Sequence, residues 1–142
     1  MQIKTDQLRP EWRLYGLLHD AHEAFIGDVS TPLKNALKLV YGVNLWSLVD
    51  AIDRAIHLAA DLAHPVPQTI AEAIKIADLR ALMTERRDLM KKPPQSWGDV
   101  YENVMPLEEK IIRWTPEQAI ARYAIALGGA GLPIGTCVFV GS

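Results

Sequence analysis

A single cysteine, Cys137, in 142 residues excludes an intramolecular disulfide, so packing rather than covalent ties must hold the fold. Within Thr136-Cys137-Val138-Phe139 it reads as a packing thiol without a chemical role. An excess of charge of either sign is equally lacking: 15 Lys and Arg stand against 17 Asp and Glu, a formal net charge of -2. That balance gives no electrostatic footprint for a nucleic-acid polymer or an anionic membrane, and leaves small nucleotides as the nucleic-acid chemistry still open. No apolar run approaches the roughly 20 residues that span a bilayer, and Met1-Gln2-Ile3-Lys4 begins no signal peptide, so a cytoplasmic chain is expected. Repeats and low-complexity tracts are absent too. What is present, 49% hydrophobic and 23% charged residues, suits one soluble domain with one core.

The dominant period is helical, and proline and glycine cut the chain into pieces of helix length. A first helix is expected from Pro10 to Phe25, ended by Gly27, and a second from Thr31-Pro32 to Gly42 with Thr31 as its cap. Asn44 is placed to cap a third, whose apolar positions Leu45, Leu48, Val49, Ile52 and Ile56 follow the i, i+3, i+4 pattern up to His64-Pro65-Val66-Pro67. The opposite face, with Asp50, Arg54, His57 and Asp61, is expected to meet solvent. The longest helix is expected from Thr69 to Met90, with Ile70, Ile74, Ala77, Ala81 and Leu82 inward and Lys75, Arg80, Arg86 and Arg87 outward. After the loop Lys91-Lys92-Pro93-Pro94 come a helix over Tyr101–Ile112, interrupted near Pro106, and one from Thr115-Pro116-Glu117 to Gly128-Gly129. The fold class is therefore all-α, a single bundle of five to six helices over 1–131 with a tail of unreadable purpose over 132–142.

Candidate chemistry concentrates in Leu17-Leu18-His19-Asp20-Ala21-His22-Glu23-Ala24-Phe25-Ile26-Gly27-Asp28. On a helix His19, His22 and Glu23 would cover neighbouring patches about 6 Å apart. Imidazole nitrogen and carboxylate oxygen each reach a metal at about 2.1 Å, so an adjacent His-Asp pair can share one ion. Two ligands do not hold a metal, and Asp78 is the candidate third because Ile74, Ala77, Ala81 and Leu82 put it on an inward stripe where an unpaired carboxylate is costly. Backbone amides or an arginine are the alternative compensation. Asp28 reads equally as a turn residue, and Lys34 as part of a solvated face.

These residues resemble the HD-domain phosphohydrolases, most closely the branch of bacterial 5′-deoxynucleotidases and phage nucleotide hydrolases. Two stretches carry the likeness: His19 to Lys34, and Ile76-Ala77-Asp78-Leu79-Arg80-Ala81-Leu82. The resemblance implies a divalent metal held by His19, Asp20 and Asp78, with manganese, cobalt, iron, zinc and magnesium all compatible with the donors. It implies that Glu23 orients or deprotonates water, that Asp28 protonates the leaving oxygen, and that the substrate is a small nucleotide, foremost a deoxynucleoside 5′-monophosphate. Lys34 and the free amides at the start of the Pro32 helix would suit its phosphate.

One feature of that family is missing. It uses a further histidine upstream of the His-Asp pair, and none of the 18 residues before His19 is a histidine. The upstream histidine-bearing segment is accordingly expected to be lacking, and His22 and His64 are the only nearby substitutes. The competing expectation is a catalytically incomplete HD-type module that binds or oligomerises, with self-association through uncovered apolar helix faces. His57, beside Asp53 and Asp61, is expected at the surface, and Trp12, Trp46, Trp97 and Trp114 are expected to pack rather than stack on bases.

Overall fold

The structure is a computed structural model that describes residues 10–132, so Cys137 and the tail beyond Leu132 lie outside the described residues. Among the described residues seven helices follow in order: α1 Pro10–Leu18, α2 Glu23–Ile26, α3 Thr31–Tyr41, α4 Leu45–Ala59, α5 Gln68–Asp88, α6 Asp99–Glu102 and α7 Pro116–Gly129. Five have nine residues or more and two are single turns, with no strand among the described residues, so the all-α class holds. No helix among them is long and apolar enough to cross a membrane. The chain divides into two compact units, one running to Pro67 and resuming at Arg122, the other Gln68–Ala121.

In the first unit Leu14, Tyr15 and Leu18 of α1, Val49 of α4, Leu62 and Ala130 are the buried apolar side chains. Tyr15 ties α1 to the segment after α4, donating from its hydroxyl to the Ala63 carbonyl at 2.7 Å. Tyr123 of α7 donates to the Leu17 carbonyl at 2.6 Å, which satisfies an acceptor that α1 leaves open at its C-terminal end. The α3–α4 hairpin turns through Gly42, at φ 67°, where a side chain would be strained. α3 begins at Thr31 with Ser30 before it, so the cap falls one residue earlier than the sequence suggests. α4 closes by another route: Asp61, at φ 55°, turns the chain so that the Leu62 N–H reaches the His57 carbonyl at 2.8 Å. Phe25, Leu39, Tyr41 and Ile125 stand exposed, so this unit covers only part of its apolar surface.

The second unit is organised by polar groups that the periodicity of α5 assigns to solvent. Arg80, Thr84, Arg87 and Asp88 clamp the segment after α6 onto α5, and in place of the expected helix over Tyr101–Ile112 that segment is irregular beyond Glu102. Pro106 lacks an N–H, and the local backbone groups find partners on α5 rather than on each other. Arg80 Nε donates to the Met105 carbonyl at 3.2 Å, and Arg87 donates to the Leu107 and Glu109 carbonyls, the latter at 2.8 Å. Asp88 accepts the Ile111 N–H at 2.9 Å and both Arg87 Nε and Nη2. The Arg87 guanidinium, with the Ile111 N–H second, holds the Asp88 carboxyl far below the usual carboxylate range. Arg86 is also turned inward, bonded to Glu102 at 2.9 Å and lying over the Trp97 ring at 4.6 Å. The outward placement expected for Arg80 and Arg86 gives way to partial burial, because each guanidinium has a carbonyl, a carboxylate or a ring to meet, whereas Arg87 is exposed as expected while making its bonds.

Thr84 is the buried member of this clamp, 2% exposed, donating to the Arg80 carbonyl at 2.6 Å and accepting the Leu107 N–H at 2.9 Å. Thr84→Val keeps the shape and leaves the Leu107 N–H without an acceptor, an expected loss of about 1–3 kcal/mol. Urea unfolding checks it, and an unchanged midpoint would mean that the segment does not depend on this bond. At the C-terminal edge of the unit, Thr115 and Gln118 form a reciprocal cap for α7: Gln118 Oε1 accepts the Thr115 N–H at 3.0 Å, and Thr115 Oγ1 accepts the Gln118 N–H at 3.3 Å.

Candidate functional site

The continuous helix expected from Pro10 to Phe25 is split, and the split lies at the candidate residues. α1 stops at Leu18, residues 19–22 form a turn, and α2 begins at Glu23. His19 Nδ1 lies 2.8 Å from the Gly16 carbonyl, the acceptor that the Asp20 N–H would use if the helix continued. The turn closes with shorter-range bonds instead, Ala21 N–H to Leu18 O at 3.0 Å and Glu23 N–H to Asp20 O at 2.9 Å. The helical-face spacing assumed for His19, His22 and Glu23 therefore does not apply.

What the turn achieves is a close pair. A carbonyl accepts only, so Nδ1 of His19 carries the hydrogen and, in the neutral ring, Nε2 presents a bare lone pair. Nε2 lies 2.9 Å from Asp20 Oδ2, in a turn where both side chains are more than a third exposed. Two lone-pair atoms at that distance repel unless a proton or a cation sits between them. Two metal bonds of about 2.1 Å at right angles place their donors about 3 Å apart, so the pair fits two adjacent ligands of one divalent ion. An Nδ1–H given to a backbone carbonyl is also the usual way in which a ligating imidazole is oriented.

The other candidates stand as follows. Glu23 opens α2 and is half-buried, while Asp28 is exposed in the extended stretch after Gly27, whose φ of 74° lets the chain reverse there. Lys34 lies with its Nζ 4.7 Å from the centre of the Trp46 ring, so its charge already has a partner on α4. Asp78 belongs to α5 in the second unit and is exposed, which corrects the inward position read from its neighbours Ala77 and Ala81. The buried residues of α5 are Ile70, Met83 and Thr84, and at 3.6 residues per turn each lies about 80° or more around the helix from Asp78. Among the described residues no three His, Cys, Asp or Glu side chains form a group able to hold a metal.

The remaining histidines do different work from that expected. His22 is buried, its Nδ1 3.0 Å from Asp53 Oδ1, which joins the turn to α4. His57 is 4% exposed, not at the surface making i, i+4 pairs, with the Tyr15 ring edge-on at 5.3 Å. Its Nδ1 lies 3.0 Å from Nδ1 of His64, whose Nε2 lies 3.1 Å from Asp50 Oδ1. The His64 side chain is 12% exposed, so it is not the solvent-facing turn residue expected before Pro65. Burial, with His64 as the second cause, pushes the His57 pKa down from its ordinary value. The sequence signal for this group was the presence of Asp50, Asp53 and His57 on one helix with His64 in the next loop. Its inward direction was hidden because polar residues at helical spacing ordinarily mark the wet face. Trp46 and Trp114 are exposed rather than packed inside, while Trp97 meets Tyr101 edge-on at 6.0 Å.

No family model matches the chain. It is 43% identical over 67 residues to an uncharacterized protein of Rhodobacter capsulatus, a match covering 47% of this chain and 32% of the relative. It is also 34% identical over 88 residues to the uncharacterized protein YfdR of Escherichia coli, covering 61% of this chain and 44% of that one. The matched stretches thus span less than half the length of these curated relatives. No solved structure matches.

Proposed function

We propose that the chain carries the catalytic turn of a metal-dependent phosphohydrolase of the HD-domain type, acting on nucleotides and foremost releasing phosphate from deoxynucleoside 5′-monophosphates. The observation that carries the reading is the His19–Asp20 pair: an imidazole whose tautomer is set by Gly16, with its free nitrogen 2.9 Å from a carboxylate oxygen. His19 and Asp20 would hold a divalent ion, and when bound the ion would supply charge neutralisation at the phosphate and a more acidic water. Glu23 takes a proton from the attacking water as its oxygen bonds to phosphorus. Asp28 gives a proton to the ribose oxygen as the phosphorus–oxygen bond breaks. At the α3 N-terminus Pro32 has no N–H, so the Thr31 and Leu33 amides are the donors there that would meet a phosphate oxygen. Lys34 joins them only by leaving the Trp46 face.

The test is elemental analysis of the chain after exposure to manganese, cobalt and zinc in turn, followed by phosphate release from deoxynucleoside mono- and triphosphates. About one ion per chain with release from monophosphates is the expected result. An ion retained without release from any nucleotide would favour the incomplete binding module, and no ion would overturn the metal reading.

A further inference from the structure

Two neutral imidazoles can share one hydrogen bond only if one donates and the other accepts. Between His57 and His64 a single hydrogen lies on the 3.0 Å line joining their Nδ1 atoms, and His64 uses Nε2 toward Asp50 Oδ1 at 3.1 Å. The groups facing His57 are Tyr15 of α1, Asp53 of its own helix and His64 of the following segment, with Asp53 itself engaged by His22. The same segment is held at two further points, by the Tyr15 hydroxyl on the Ala63 carbonyl and by the Leu62 N–H on the His57 carbonyl.

We propose that the Asp50–His64–His57 chain is an acid-released latch fastening residues 60–67 to α4 and α1. The pair accommodates one added proton, because it can sit on His64 opposite the Asp50 carboxylate while His57 accepts. A second proton puts a hydrogen on both Nδ1 atoms and sets two cations side by side, one of them 4% exposed, and the bond cannot survive. Released, the segment frees both protons' sites to water and gives up the Ala63 anchor on α1, the helix that leads into the His19–Asp20 turn.

The direction follows from linkage. The folded His57 resists protonation, so the open form takes up the proton first; the latch is fully closed above the ordinary histidine pKa of about 6.5 and weakens as pH falls below it. One unit lower, release of one such site favours opening by about tenfold. Amide hydrogen exchange of Leu62, corrected for its intrinsic pH dependence and referred to the Asp53 amide within α4, reads this directly. Between pH 7.5 and about 5.5 the expected result is a roughly tenfold loss of Leu62 protection in the wild type and none in His57→Gln, whose amide bonds His64 but never charges. Unchanged protection in the wild type, or an equal loss in the variant, overturns the proposal. Where His57→Gln fails to fold, following the wild-type His57 ring by NMR decides it: a ring that protonates while Leu62 stays protected refutes a latch.

Discussion

Under the proposed phosphohydrolase reading, Glu23→Gln is expected to lower phosphate release by about 100- to 10,000-fold with metal content unchanged, the range typical of losing one positioned proton acceptor. Glutamine keeps the size and hydrogen-bonding length of the side chain at the start of α2 and removes only its basicity. His19→Ala and Asp20→Ala are expected to behave differently: each removes a donor from the proposed ion site, so metal content falls and activity falls with it. Elemental analysis and phosphate release on the three variants separate the roles. Equal loss of metal in Glu23→Gln and Asp20→Ala would refute the division between a proton acceptor and a ligand.

The second large effect concerns stability. Tyr15 is 3% exposed, meets the His57 ring edge-on at 5.3 Å and donates to the Ala63 carbonyl at 2.7 Å. Tyr15→Ala opens a ring-sized void between α1 and the end of α4 and is expected to cost about 3–5 kcal/mol. Small domains have about 5–15 kcal/mol to lose, so the variant would stand near its unfolding threshold at ordinary temperature. Urea denaturation checks it, with Tyr15→Phe as the companion that removes only the hydroxyl and should lose about 0.5–1.5 kcal/mol. A loss for Tyr15→Ala no larger than that for Tyr15→Phe would mean that the ring is not part of the core.

Helix positions were the most legible property. Periodicity and punctuation placed α3, α4, α5 and α7 to within a few residues, because Pro32, Gly42, Asn44 and Thr115 act on the backbone within one turn of themselves. Where prediction failed after α6, side chains had distant partners. The helix expected over Tyr101–Ile112 did not form because Thr84, Arg87 and Asp88 supply its backbone with better-placed acceptors and donors, up to 23 residues away in sequence. At the candidate site His19 and Asp20 were recognisable as neighbours. Their turn was not, since it depends on the His19 ring taking the Gly16 carbonyl from the helix.

By itself the sequence determined the helical class, the ends of most helices and the identity of a His-Asp pair, all of which follow from residue type and local spacing. Only the tertiary structure decided which polar side chains are buried. His22, His57, Thr84 and Arg86 look alike on a helical wheel with solvated residues, and each is drawn inward by a partner on another segment: Asp53, His64, Leu107 and Glu102. A hydrogen bond to a remote partner offsets desolvation, and no local pattern encodes where that partner will stand.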